Sequence, residues 1–151
     1  MSNNKHTDII VIGSGPGGYA AAFRAADLGR EVTLVDKDPT LGGVCLNRGC
    51  IPSKTLLHVS KVLEEAESLK KMGVTFTKPT IDIDLVRDWK NKVVAQLSGG
   101  IGQMAKARKV KTIQAEATFL SDNEVQLKSE SSTEKITFDH CIIASGSSST
   151  I

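Results

Sequence analysis

Residues 8–36 read DIIVIGSGPGGYAAAFRAADLGREVTLVD, and this stretch decides the fold. Asp8 to Ile12 is a short apolar run, rich in β-branched residues and ending in glycine, the pattern of a buried parallel strand. From Gly15 the chain becomes alanine-rich, with Pro16 near the first helical turn and Gly29 at a natural C-cap, so a helix follows. Glu31 to Val35 is a second β-branched strand that finishes on Asp36, which completes a βαβ unit. Gly13, Gly15 and Gly18 form G-x-G-x-x-G between the first strand and the helix. There the first glycine permits a tight turn, the second lets a pyrophosphate approach the backbone, and the third lets helix and strand pack closely. The helix N-terminus supplies oriented N–H donors for phosphate, and Asp36 can hydrogen-bond ribose hydroxyls. Glycines at such a turn also serve packing in any α/β protein. The flanking strand, the helix and the acid at position 36 are what turn the triplet into a dinucleotide signal. An aspartate at that position disfavours a 2′-phosphate, and so NADP, while leaving FAD and NAD both open.

A second stretch, GGVCLNRGCIPSK at residues 42–54, sets Cys45 and Cys50 five apart. On a regular α-helix that spacing separates the Cα atoms by roughly 8.5 Å, beyond the ~7 Å a disulfide tolerates, so a bond requires an irregular first turn. Gly42, Gly43, Gly49 and Pro52 supply irregularity, and the helix N-terminus with Arg48 and Lys54 would favour thiolate over thiol. A redox pair and two buried cysteines that never meet are both compatible with these residues. A metal site fits less well, because no paired His or third nearby Cys completes four ligands, and His58 falls on a helix face where packing is the usual role. Cys141, inside HCIIAS, reads as a core residue, and His6 and His140 as surface or strand-edge residues.

The remainder is organised around these two stretches. Residues 40–49 have a loop-like composition, and Leu56, Leu57, Val59, Leu63, Ala66 and Leu69 recur with helical spacing as far as Gly73. A further helix is expected from about Asp84 to Lys109, burying Leu85, Val86, Trp89, Val93, Val94, Leu97, Ile101 and Met104. Gly99, Gly100 and Gly102 predict a bend or close packing in it. KVKTIQAEATFL, NEVQLKS and EKITFD then read as an antiparallel meander, HCIIASG as a return to a buried strand, and Ser147–Thr150 as a loop. The 151 residues carry 40% hydrophobic and 24% charged side chains, the balance of a soluble globular domain. A net charge of +2 gives no general argument for nucleic acid, and Lys106, Arg108, Lys109 and Lys111 read as a solvated helix end. No apolar run reaches the ~18 residues of a membrane span, and MSNNKHTD resembles neither a signal nor a targeting presequence, so a cytoplasmic protein is expected. Three cysteines argue against an extracellular disulfide scaffold.

GGVCLNRGCIPSK resembles the redox motif of the pyridine nucleotide-disulfide oxidoreductases, and its V-C-L-N and C-I-P-S-K details are more similar to the dihydrolipoyl dehydrogenase branch than to glutathione or mercuric reductases. Residues 13–29, DIDLVRDWK at 82–90, AEATF at 115–119 and IIASG at 142–146 also resemble the start of that family. The resemblance implies an α/β fold: a Rossmann-like FAD-binding domain with a parallel sheet and an antiparallel β-meander insertion. Residues 1–151 would be its N-terminal, truncated part, with the NAD-binding and dimerisation domains absent. It implies FAD with its pyrophosphate over Gly13, Gly15 and Gly18, its ribose at Asp36, and its adenine near Ala117. Lys37, Gly43, Val44, Cys45, Lys54, Ala144, Ser145 and Gly146 complete the implied lining. Cys45 would be the exposed thiol that exchanges with a dithiol substrate, Cys50 would face the flavin, and Lys54 would stand beside it. NAD would be the final acceptor, dihydrolipoamide on lipoyl domains the partner, and a homodimer the full-length assembly, with no nucleic acid, membrane or metal. Asp36 in place of a longer Glu, Arg48 in place of an apolar residue, and A-S-G with a serine tail depart from the family pattern. Another disulfide reductase, or a nucleotide-binding module without catalysis, remain the competing readings.

Overall fold

The computed structural model describes residues 5–147. The βαβ unit forms as its sequence predicts: β1 (Lys5–Ile12), α1 (Pro16–Asp27) and β2 (Val32–Asp36). Two helices follow, α2 (Gly43–Asn47) and α3 (Cys50–Ser68), the latter running into a single 3-10 turn at Leu69–Met72. Then come α4 (Ile83–Ala107) and the strands β3 (Lys111–Gln114), β4 (Glu116–Ser121), β5 (Glu124–Lys128) and β6 (Thr133–Ile143). One six-stranded sheet has the order β3-β2-β1-β6-β5-β4. Its β3-β2-β1-β6 part is parallel, with Ile10 opposite Thr33 on one side and Cys141 on the other, and β6-β5-β4 is antiparallel.

The central strands are buried on both faces, which is why they read as apolar runs rather than alternations. On one face Val11, Val32 and Leu34 pack against Ala22, Phe23 and Ala25 of α1, Leu46 of α2, and Ile101 and Ala105 of α4. On the other, Ile10 and Val35 meet Val125, Leu127, Ile136 and Phe138, so the meander curls over the sheet as a second layer. Full burial of each such side chain contributes about 1.5–3 kcal/mol.

Four sequence expectations change. β3 is not part of the meander but the parallel edge strand beside β2, because α4 returns the chain to that side. EKITFD and HCII are one continuous strand, β6, whose exposed Asp139 and His140 interrupt the apolar run without breaking the backbone. α4 is capped by Asp82, whose carboxylate accepts from the N–H groups of Asp84 and Leu85, and it runs unbroken through its glycines. Nothing lies within 4 Å of where a Cβ on Gly99, Gly100 or Gly102 would stand, so they do not mark close packing.

The fourth change is the largest. α3 has no buried residue at all, and of the apolar stripe expected to be buried in α4 only Ile101 is; Leu85, Trp89, Leu97 and Met104 are exposed. Among the described residues these two helices lie against each other and α2, and no layer covers their outer sides. Arg108 is not merely solvated, since its Nε donates to Asp27 Oδ1 at 3.0 Å and its guanidinium lies 5.2 Å above the Phe23 ring. No helix among the described residues is long and apolar enough to cross a membrane. The expected loop at 147–150 falls, beyond its first residue, outside the described part.

Candidate functional site

The glycine loop sits where β1 gives way to α1, at the carboxyl end of the parallel strands. Gly13 adopts φ +102°, and its N–H donates to Val35 O at 2.7 Å. A Cβ there would stand 2.2 Å from Ala144 O, and a Cβ on Gly18 would stand 1.7 Å from Gly13 O. Both positions are closed to any side chain. At Gly15, by contrast, nothing lies within 4 Å of the Cβ direction. Gly15 is also the N-cap of α1, with no side chain capping the helix and no acid in its first turn. The first N–H groups of a twelve-residue helix are thus left for an anion, which is what a pyrophosphate requires.

Asp36 reaches back to this loop. Its Oδ2 accepts from both the N–H and the hydroxyl of Ser14, each at 2.6 Å, and its Oδ1 accepts from Asp38 N at 2.9 Å. Burial raises the Asp36 pKa, but the Ser14 and Asp38 hydrogen bonds and the charge of Lys37 outweigh it, so the carboxyl is held below its ordinary value. Ser14, fully buried, passes the connection on, because its carbonyl accepts from Gly42 N at 2.9 Å. Beside Asp36 an open groove of about 390 Å³ is lined by Lys37, Gln114, Ala115 and Glu116 together with residues 128–131. Ala117 is half-buried on β4 and pairs with Leu127 rather than lining that groove. Ala144 N donates to Ile12 O at 2.7 Å, which lays residues 144–146 alongside the glycine loop, with Gly146 at φ +70°.

The cysteine segment is built onto the same loop. Gly42 (φ +112°) and Gly43 (φ +60°) turn the chain, and a Cβ on Gly43 would stand 2.7 Å from the Cα of Gly15. The segment expected to be a loop contains the short helix α2, which the glycines disguise because they occupy its entry rather than its body. Between α2 and α3 the helix breaks at Arg48 and Gly49, whose N–H groups both donate to Val44 O at 2.9 and 2.7 Å. That break is the irregularity that a bond between Cys45 and Cys50 would require. Cys45 and Cys50 lie beside each other across it as free thiols. This contact raises the Cys45 pKa, desolvation and the Cys50 charge raise it further, and the Cys50 backbone and Lys54 act in the opposite direction.

Two expectations about this pair change. Arg48 does not serve the thiols, because it forms an ion pair with Asp38, and Cys45 keeps its proton rather than losing it. Within this chain Cys50 is exposed and Cys45 half-buried, the reverse of the implied order, because Cys50 opens α3 on the side that no described residue covers. Lys54 and Val44 are exposed beside them. Cys141 is half-buried against the meander core, which raises its pKa. Sequence reasoning missed Ser14, hidden as a variable position of the fingerprint, and Asn47 and Ser98, which hydrogen-bond across 51 positions without any local signal. It also missed that His6, Asp8 and Asp139 come within 4.8 Å of one another, at the other end of β1 from the glycine loop.

The family model of the pyridine nucleotide-disulphide oxidoreductases matches residues 7–151, taking in the loop, the acid and the cysteine turn. The chain belongs to this family. It is similar to curated dihydrolipoyl dehydrogenases: 49% identical over 147 residues to that of Vibrio cholerae serotype O1, covering 97% of this chain and 31% of the relative. The Vibrio parahaemolyticus protein is 50% identical over 147 residues (97% and 31%), and the Bacillus subtilis protein 48% over 141 (93% and 30%). The chain therefore spans about three tenths of the length of the curated relatives it matches. The Ser14–Gly42 hydrogen bond joins the cysteine turn to the glycine loop within the matched residues.

Proposed function

We propose that residues 1–151 are the N-terminal part of the FAD-binding domain of a dihydrolipoyl dehydrogenase, whose NAD-binding and dimerisation domains lie in further chain. The observation that carries this reading is the meeting of Cys45 and Cys50 across a helix break that is hydrogen-bonded, through Gly42 and Ser14, to the glycine loop. The Gly13–Gly18 loop, Asp36 and the Ala144–Gly146 segment would hold FAD, which when bound would supply a two-electron acceptor for the dithiol and a hydride donor toward NAD.

The chain's own residues do the rest. Gly15 leaves the backbone open to the pyrophosphate, Gly13 and Gly18 keep the loop tight beneath it, and Asp36, held ionised, accepts from ribose hydroxyls. Lys37 would line the adenine side, and Gly43, Val44 and Ala144–Gly146 the flavin side. In the oxidised pair a thiolate of dihydrolipoamide attacks Cys45 Sγ, the Cys45–Cys50 bond breaks, and Cys50 leaves as thiolate. The second substrate thiolate then attacks the mixed disulfide, releasing lipoamide and Cys45. Two electrons have moved from substrate to enzyme, and the dithiol described here is the product. Lys54 supplies a positive charge for the thiolate that remains.

The proposed partners are lipoyl domains carrying dihydrolipoamide, and a second copy of the full-length protein; the proposed compartment is the cytoplasm. Alone, the chain is expected to turn over no dihydrolipoamide with NAD and to hold FAD weakly. Assaying the full-length protein with dihydrolipoamide and NAD, with glutathione disulfide and with mercuric ion tests the assignment. Turnover of dihydrolipoamide alone is expected; reduction of glutathione disulfide or mercuric ion without dihydrolipoamide oxidation overturns it.

A further inference from the structure

Asn47 lies between the two cysteines, and all of its polar groups are engaged. Its Nδ2 donates to Leu41 O at 3.3 Å and to Gly43 O at 3.1 Å, and its Oδ1 shares the single proton of the Ser98 hydroxyl of α4 with Val94 O, each at 2.9 Å. The amide has only one orientation that works, because carbonyls accept and never donate, so nitrogen must face Leu41 and Gly43 and oxygen must face Ser98. Those two carbonyls flank Gly42, in a turn where two successive residues have positive φ and no regular ladder pairs them. Five residues are too few for a helix to hold itself in water. α2 must therefore be fixed from outside. Leu46 packs it on the core, and its other described side-chain polar ties are the Cys45–Cys50 contact itself and the Arg48–Asp38 ion pair just beyond it, an exposed pair of a kind that contributes little.

We propose that Asn47, clamped by Ser98, is the positioning residue that orients α2 so that the Cys45 sulfur faces Cys50. This rests on reading the two thiols as a redox pair. The amide touches neither sulfur. It fixes the turn two residues after Cys45 against the one long helix that also packs on the core through Ile101 and Ala105, so the thiol geometry is referred to a rigid element rather than to the loop itself.

The test is the equilibrium of the chain with glutathione: Cys45 and Cys50 thiols plus one glutathione disulfide give the protein disulfide and two glutathiones. Peptide mapping locates the bond, and the loss of two hydrogens counts it. Asn47→Asp keeps the size but turns an acceptor toward two carbonyls, and the equilibrium constant for closing the bond is expected to fall about tenfold, equivalent to about 30 mV. Ser98→Ala is expected to lower it about threefold, and Ser98→Thr, which keeps the hydroxyl, to restore it. Asn91→Asp, the same exchange on the exposed side of α4, is expected to change nothing. Circular dichroism establishes that each variant is folded, and Ser98→Ala carries the test should Asn47→Asp unfold. Wild-type-like equilibria in the folded Ser98→Ala and Asn47→Asp chains overturn the positioning role. A wild-type chain that never closes a Cys45–Cys50 bond at any glutathione ratio overturns the redox reading beneath it.

Discussion

The β1–α1–β2 unit and the α3–α4 pair both carry clear apolar patterns and have opposite fates. Ile10, Val11, Val32, Leu34 and Val35 are buried, on both faces of the sheet, whereas α3 buries nothing and α4 only Ile101 and Ala105. The difference teaches that periodicity tells which face of a helix is suited to burial, while burial itself depends on a layer being there to receive it. The βαβ unit brings its own partners, since strand, helix and strand cover one another and the meander closes the far face. The helical pair has a receiving layer on one side only.

Substitutions can break or sharpen this contrast. The largest effect is expected at Gly18→Ala, because a Cβ 1.7 Å from a backbone oxygen forces the loop and helix apart; loss of more than about 4 kcal/mol, seen as loss of a cooperative urea transition, is expected. Leu34→Ala, at 1% exposure, should cost about 2–5 kcal/mol in the same measurement. Asp36→Asn should destabilise the chain at neutral pH. The folded carboxyl titrates below 3.8, so its contribution is complete above that value and is lost as pH falls through the lowered one. The gap between wild type and variant in urea midpoints is therefore expected to be constant from pH 7 to about 5 and to close below pH 3.8; a gap that closes near neutrality would contradict the Ser14–Asp36 geometry. Leu57→Ala, at 65% exposure, should change stability by less than about 0.5 kcal/mol. A cost at Leu57 as large as at Leu34 would erase the contrast.

The same contrast explains what was legible in the sequence. Strand-to-helix order, the glycine loop and the acid at 36 could be read because each is a local pattern with a local cause. The irregular turn between the cysteines could be read as well, from Gly42, Gly43, Gly49 and Pro52 around them. What escaped was set by distant parts of the chain. The side of the sheet on which KTIQ pairs depends on where a 25-residue helix delivers it, and the joining of EKITFD to HCII depends on β1 and β5 holding both halves. The raised pKa of Cys45 is not legible from the nearby cations and helix N-terminus, because Arg48 is turned to Asp38 and the dominant neighbour is Cys50. Ser14, Asn47 and Ser98 were invisible for the same reason: their roles are hydrogen bonds that only the assembled turns create.

The central proposal is that Cys45 and Cys50 are the redox pair whose disulfide form takes two electrons from dihydrolipoamide. Its most direct test is steady-state oxidation of dihydrolipoamide by NAD in the full-length protein, comparing wild type with Cys45→Ser and Cys50→Ser. Removing a nucleophile that acts as part of a unit should lower turnover by about a thousandfold or more in each variant. Wild-type turnover in Cys45→Ser would contradict the account.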